Sequence, residues 1–367
     1  MRKPRPTPAP PAAAKRPERR VTSYDVALLA GVSQSAVSRC FKPGASVSKA
    51  THERVMKAAR CLDYIPNAAA RSLITRRSNL VGVIISSLAG PEALAELSRQ
   101  ITQRGKRALL FTPTRENELD TILSEVWQYQ VDGVIAAASL SERQVAQFAR
   151  RRVPLVMFNR GAHGPAVNAV VCDQAAAARL LVSRLAEAGH RQFALIDGPQ
   201  DCADAQQRLL GARMRIAELG LPVPAVVDGH GDYASGGNGI RAIIAQLGRV
   251  PDAVICGKDV AAIGCLDTAR HELGINIPGK MAVAGCDAVE ASAWLSHKLT
   301  TLRQPIQKMA QAAADLLSGL IDNRDAAPQQ RLFNAQLVEG ATARLDTPDS
   351  RDLALRLALN KHGLLTI

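Results

Sequence analysis

The chain has 367 residues, 46 Lys+Arg against 33 Asp+Glu for a net charge of +13, and 47% hydrophobic content. That length suggests two or three domains with sizeable cores, and the balance excludes an intrinsically disordered chain. The 7 cysteines are odd in number and form no C-x-x-C pair, which argues against a disulfide framework or zinc cluster and fits reduced thiols in a cytosol.

Residues 1–20, MRKPRPTPAPPAAAKRPERR, mix proline with basic residues and lack the apolar stretch of a signal peptide. A disordered basic tail is expected there; it would either add salt-sensitive phosphate contacts or be a solvated extension without a specific role. Charge is concentrated in this region and just beyond it. Residues 1–80 hold 16 Lys+Arg against 4 Asp+Glu, whereas residues 81–367 hold 30 against 29. A basic module joined to a neutral one implies a polyanionic partner for the first and a different partner for the second. Membrane surface is the rival polyanion, but no long apolar segment or basic helix with large aromatics accompanies the charge.

Residues 21–41, VTSYDVALLAGVSQSAVSRCF, read as two short helices broken at Gly31. Thr22 and Asp25 have capping-box spacing, and Val26, Ala27, Leu29 and Ala30 are expected to share a buried face. Gly31 suits the left-handed stop of the first helix and Ser33 the N-cap of the second. In the second, Val32, Ala36, Val37 and Cys40 share one face, while Gln34 with Ser38 and Ser35 with Arg39 line the other at i, i+4 spacing. That narrow polar stripe suits a major groove, where Gln pairs with adenine, Arg with guanine, and serines reach phosphate or base edges. An ordinary solvated helical hairpin would show the same pattern.

In LDYIPNAAARSLITRRS, residues 62–78, Pro66 suits a first helical turn, and Asn67 to Leu73 would form only a turn or two, too short to be stable alone. A plain interdomain linker fits as well. From residue 80 short apolar runs alternate with helical stretches: LVGVIISSL (80–88), RALLF (107–111), VDGVIAAAS (131–139), PLVMFN (154–159), AVVCD (169–173), QFALIDG (192–198), AVICG (253–257) and MAVAGCD (281–287). Such strands between helices predict parallel sheets covered on both faces. Polar residues stand at their carboxyl ends, namely Ser86, Asn159, Arg160, Lys258, Asp259 and Asp287. Convergent polar groups there suit a small polyhydroxylated ligand, although any single one would serve equally as a cap or loop residue.

From Val21 to Leu73 the chain resembles the DNA-binding head of the LacI/GalR (lactose-repressor) family of bacterial transcription regulators. VTSYDVALLAGVSQSAVSRC is close to that family's signature, and VSKATHERVMKAARCLDYIPNAAARSL is similar to its third helix and hinge helix. LVGVIISS, FNRG, GHRQFALIDGP, AIGCLDTARHELGINIP, VAGCD and LTTLRQP continue the likeness, which spans nearly all of residues 21–343. The resemblance implies an α/β chain: an all-α helix-turn-helix head and a two-lobed, periplasmic-binding-protein-like body with parallel sheets, the chain crossing between lobes more than once. The expected segments are the tail (1–20), head (21–65), hinge helix and linker (66–79), effector-binding and dimerisation body (80–343) and C-terminal tail (344–367). It implies DNA contacts from Thr22, Ser33, Gln34, Ser35, Ser38, Arg39 and Lys42, and from Asn67, Ala70 and Leu73 of the hinge, with Leu73 as a wedge in the minor groove.

Effector contacts implied by the resemblance are Ser86, Asn159, Arg208, Tyr233, Lys258 and Asp287. Arginine would fork onto a hydroxyl pair or carboxylate, aspartate accept from hydroxyls, and tyrosine stack on a sugar face. The chain departs from the family pattern at several places. Asn159 replaces a usual Asp, Lys258 a usual Asn and Lys42 a usual Asn, and the loop after Ser86 is shorter by about three residues and lacks an aromatic pair. The added charge of Lys258 tilts the effector toward an acidic or phosphorylated sugar, unless that lysine turns to solvent.

The expected function is a cytoplasmic transcriptional repressor binding a pseudo-palindromic operator as a homodimer, its affinity set by a sugar, sugar acid or sugar phosphate, with no cofactor, metal or membrane partner. Rival readings are an architectural DNA-binding protein without effector and a small-molecule enzyme. The enzyme lacks support: G-x-x-x-x-G-K-[ST], H-E-x-x-H and G-x-S-x-G are absent, and the 7 histidines are scattered. The leucines of TPDSRDLALRLALNKHGLLTI mix period two with helical offsets, which supports a tetramer-forming coiled coil poorly.

Overall fold

The computed structural model describes residues 21–42, 44–66, 77–85, 91–113, 118–160, 167–199 and 202–346. These fall into two compact units that part between Ser78 and Asn79.

The first unit is three helices, α1 (Ser23–Ala30), α2 (Gln34–Cys40) and α3 (Lys49–Cys61). Thr22 opens α1: its amide and hydroxyl both donate to the Asp25 carboxylate, at 2.8 and 2.7 Å. Gly31 ends it at φ 62°. Ser33 then caps α2, accepting from the Ala36 amide at 3.3 Å. Val26, Ala27, Ala30, Val37, Val55, Ala58 and Ala59 form the core, with Phe41 and Tyr64 packed edge to face at its margin. Leu29 departs from expectation and is 56% exposed. The buried arc of α1 centres between Val26 and Ala27, and Leu29 lies more than a quarter turn from that centre.

The second unit contains β1 (Leu80–Ile85), α4 (Pro91–Gln103), β2 (Arg107–Phe111), α5 (Leu119–Gln128), β3 (Gly133–Ala137), α6 (Glu142–Arg151), β4 (Leu155–Phe158) and β5 (Asn168–Cys172). There follow α7 (Gln174–Glu187), β6 (Phe193–Ile196), α8 (Ala203–Glu218), β7 (Ala225–Val227), α9 (Tyr233–Leu247), β8 (Ala253–Cys256), α10 (Asp259–Asp267), β9 (Ala282–Cys286) and β10 (Thr300–Arg303). The last elements are α11 (Ile306–Asp322), β11 (Gln330–Phe333) and β12 (Gln336–Val338). They build two six-stranded sheets, ordered β11-β5-β4-β3-β1-β2 and β12-β10-β9-β8-β6-β7. The chain passes between the two lobes after β5, after β10 and after β11.

Each sheet is buried on both faces, as its near-continuous apolar strands require. Val83 and Ile85 of β1 pack under α4 and α11, while Ile84 between them packs under α5 and α6. In the other lobe Val283 faces α9 and α10, and Ala282 and Ala284 face α7 and α8. All eight apolar runs of the sequence contain strands. Strands β7, β10, β11 and β12 were not among them. β11 and β12 are half-exposed edge strands with polar residues, and β12 pairs antiparallel to β10, a departure from purely parallel sheets. β10 is internal but polar in sequence. Its buried Thr301 hydroxyl donates to Asp259 at 2.6 Å, and Thr300 Oγ1 accepts from the Gly340 amide at 3.1 Å, so hydrogen bonds replace apolar character.

Candidate functional site

Two surfaces gather the candidate residues. On α2, Gln34, Ser35, Ser38 and Arg39 are exposed, opposite buried Val37, and Lys42 is exposed just beyond the helix. Two of them are already positioned by neighbours: Gln34 Nε2 donates to Ser23 Oγ at 2.9 Å, and Ser35 Oγ lies 2.9 Å from Ser33 Oγ. Gln34 is thereby tied to α1 while its remaining amide capacity faces outward. Asn67, Ala70 and Leu73 lie outside the described residues, as does Ser86.

The second surface is a cleft of about 640 Å³ at the carboxyl ends of strands from both lobes. Asn159, Arg208, Lys258 and Asp287 all line it, together with Arg160 and Asp259. Parallel strands end their carbonyl edges at one side of each sheet, so the residues that follow β4, β8 and β9 arrive together. Asn159 and Asp287 adopt positive φ of 50° and 104°, which turns the chain sharply as it leaves the strand.

Hydrogen bonds link these side chains. Asn159 Nδ2 donates to Gln304 Oε1 at 2.8 Å and Gln304 Nε2 to Asp287 Oδ1 at 3.2 Å, a relay from one lobe to the other. Arg160 donates to Asp204 at 2.6 Å. Arg208 gives Nη1 to Gln174 Oε1 at 2.8 Å and lies 3.8 Å from Asp287, while its enclosed Nε has no hydrogen-bond partner among the described residues. Burial opposes the charge on Arg208, but the surrounding carboxylates, Asp287 first, hold its pKa above the ordinary value. Asp204 is raised by burial despite its pairing with Arg160. Asp259 is fully enclosed; burial lifts its pKa to about 7 against the donations from Thr301 and the Val289 amide.

Tyr233 does not join the cleft. Asp232 caps α9 by accepting from the Ser235 amide at 2.7 Å, and the tyrosine hydroxyl donates to Asp267 of α10 at 3.0 Å. Half-exposed there, it is a bracket between two helices, and Gly231 lines the cleft instead. Asp204 and Gln304 were missed. Asp204 stands four residues before Arg208 on α8, a same-face spacing that was legible. Gln304 follows β10, the strand whose polar sequence hid it.

Residues 22–67 match the model of bacterial regulatory proteins of the lacI family, and residues 182–343 match a periplasmic binding protein-like domain. The Ribose operon repressor of Escherichia coli (strain K12) is 30% identical over 319 residues, covering 85% of this chain and 96% of that protein. The chain belongs to the LacI family. Another LacI-family relative, the HTH-type transcriptional repressor CytR of Escherichia coli (strain K12), is 28% identical over 340 residues, 90% of this chain and 99% of that protein. Among solved structures, the Lac repressor dimer bound to operator and the anti-inducer ONPF superposes with a TM-score of 0.80 at 28% identity, over 88% of this chain and 99% of that one. The helix-turn-helix head and the two-lobed, periplasmic-binding-protein-like body are thus those of a LacI-family regulator. No helix among the described residues is long and apolar enough to cross a membrane.

Proposed function

We propose that this LacI-family member is a cytoplasmic transcriptional repressor that reads a pseudo-palindromic operator as a homodimer and releases or engages it in response to a small sugar-like effector. The observation that carries this reading is the convergence of polar side chains from both lobes on one cleft of about 640 Å³, in a chain whose head exposes Gln34, Ser35, Ser38 and Arg39. A cleft with enclosed charges and few aromatic groups suits a polyol, whose hydroxyls must each be paired once desolvated. It is lined by Asn159, Arg208, Lys258 and Asp287.

In this reading Gln34 and Arg39 read base edges, Ser33, Ser35, Ser38, Thr22 and Lys42 hold backbone or base edges, and Asn67, Ala70 and Leu73 engage the minor groove. The proposed segments are the head at 21–65, hinge and linker at 66–79 and effector body at 80–343, with tails at 1–20 and 344–367. Effector binding alters the relation of the lobes, and a coupling free energy of about 1–3 kcal/mol changes operator affinity five- to 150-fold. The chain acts by binding and not by turnover.

The test is to select operators from random duplex DNA with the full-length protein and then titrate operator binding with sugars, sugar acids and sugar phosphates. A palindromic consensus whose affinity shifts with one ligand class is expected. Flat affinity across DNA sequences, or ligand turnover in the cleft, would overturn the reading.

A further inference from the structure

Three cations line the cleft, Arg160, Arg208 and Lys258, and two of them are already answered by carboxylates. Arg160 is held by Asp204 at 2.6 Å, and Arg208 is enclosed between Gln174 at 2.8 Å and Asp287 at 3.8 Å. The ammonium of Lys258, a residue half-buried in the same cleft, has no hydrogen bond or ion pair among the described residues. The carboxylates around it are committed elsewhere. Asp259, next in the chain, gives its two oxygens to Thr301 at 2.6 Å and to the Val289 amide at 2.9 Å. Asp287 accepts from Gln304 at 3.2 Å and faces Arg208. Glu92 and Glu290 are exposed in the cleft lining and form no ion pair with the lysine.

Nor is Lys258 a side chain lost to solvent. Its methylenes lie along Gly231, where an added Cβ would stand 2.9 Å from Lys258 Cδ. That residue has φ +74°, so it is suited to glycine for backbone reasons as well. Arg208 Nε, behind the same wall, is enclosed with no hydrogen-bond partner among the described residues. An ammonium left unanswered inside such a cleft is complementary to a ligand group that accepts hydrogen bonds and carries negative charge.

We propose that the effector is an anion, a polyol bearing a carboxylate or a phosphate monoester, and that Lys258 pairs with its acid group while the Asn159–Gln304–Asp287 relay takes its hydroxyls. This rests on the cleft being the effector site. Lys258 would then be the specificity-determining residue that separates acids from their neutral counterparts.

The full-length protein is titrated calorimetrically with matched probes: glucose against gluconate, ribose against ribose 5-phosphate, and inorganic phosphate alone. At least one acid is expected to bind about tenfold or more tightly than its neutral partner, the pair identifying carboxylate or phosphate as the recognised group. Lys258→Met should bring that ratio to within about threefold and Lys258→Arg should retain it, with melting curves confirming that both variants fold. Equal or tighter binding of the neutral partners, or an acid preference unchanged in Lys258→Met, overturns the anion assignment and leaves the effector reading intact. Saturable, Lys258-dependent acid binding with no change in operator affinity defeats the effector reading and leaves the anion site standing. Absence of saturable binding by every probe, phosphate included, overturns both.

Discussion

Arg160, at the end of β4 in one lobe, and Asp204, in the first turn of α8 in the other, form an ion pair of 2.6 Å across the cleft. Their side chains are 10% and 16% exposed, so the pair is largely screened from water. Removing one partner of such a pair strands the other's charge, which costs up to about 3–5 kcal/mol, whereas replacing both by apolar groups is close to neutral.

Asp204→Leu and Arg160→Met should therefore each lower the unfolding free energy in urea by about 2–4 kcal/mol, and the double variant Arg160→Met/Asp204→Leu should recover much of that. The double-mutant cycle reads the coupling directly. Strictly additive losses would mean that the two lobes gain nothing from this contact.

Asp259 carries a pH dependence of known sign. Its pKa is about 7 in the folded chain, above its ordinary value of 3.8. Between those values the folded state holds a proton that the unfolded state has released, so the Asp259 contribution is fully present below pH 3.8 and is lost as pH rises to about 7. The slope within that window is at most about 1.4 kcal/mol per pH unit. Thr301 allows the protonated form, since its hydroxyl can turn from donor to acceptor. Subtracting the stability of Asp259→Asn from that of the native chain across this range should give a falling line that flattens at neutral pH. A flat difference would show that Asp259 stays ionised.

In the head, Gln34→Ala and Arg39→Ala are each expected to cost about 1–3 kcal/mol of operator affinity and to relax base preference at one position per half-site. Lys42→Ala should instead weaken binding evenly across sequences and reduce the salt slope by about one. Binding to a library of single-base operator variants distinguishes these outcomes. Ser23→Ala releases the 2.9 Å hold on Gln34 and should broaden the same position without removing its contact.

Two helical glycines have opposite environments. A Cβ at Gly236 of α9 would run into the Ala261 carbonyl of α10, so Gly236→Ala should destabilise the body by about 2 kcal/mol or more in thermal unfolding. A Cβ at Gly319 of α11 would meet no neighbouring atom of the described residues within 4 Å, and Gly319→Ala should stabilise by about 0.5–1 kcal/mol through backbone entropy alone. Equal effects would contradict the close α9–α10 approach.

Several features were decided locally and were therefore legible in order along the chain. The Asp25 reach-back, the Gly31 stop and the Ser33 cap depend on residues within four positions of one another, so sequence spacing determines them. Buried parallel strands announce themselves as apolar runs because both faces are covered, and the polar residues after β4, β8 and β9 follow from where such strands end. Long-range partners were beyond that reach. Thr301 is polar in sequence yet buried because Asp259, 42 residues earlier, accepts its proton. Tyr233 left the cleft because Asp267, 34 residues later, accepts its hydroxyl. Asp204 acquired its role only when the chain, having crossed into the second lobe, returned it to Arg160, 44 residues earlier. By itself the sequence determined the two modules, the exposed stripe of α2 and the charge of Lys258. Only the tertiary structure decided which of the cleft's charges are already paired, because pairing depends on distances between side chains that the fold alone brings together.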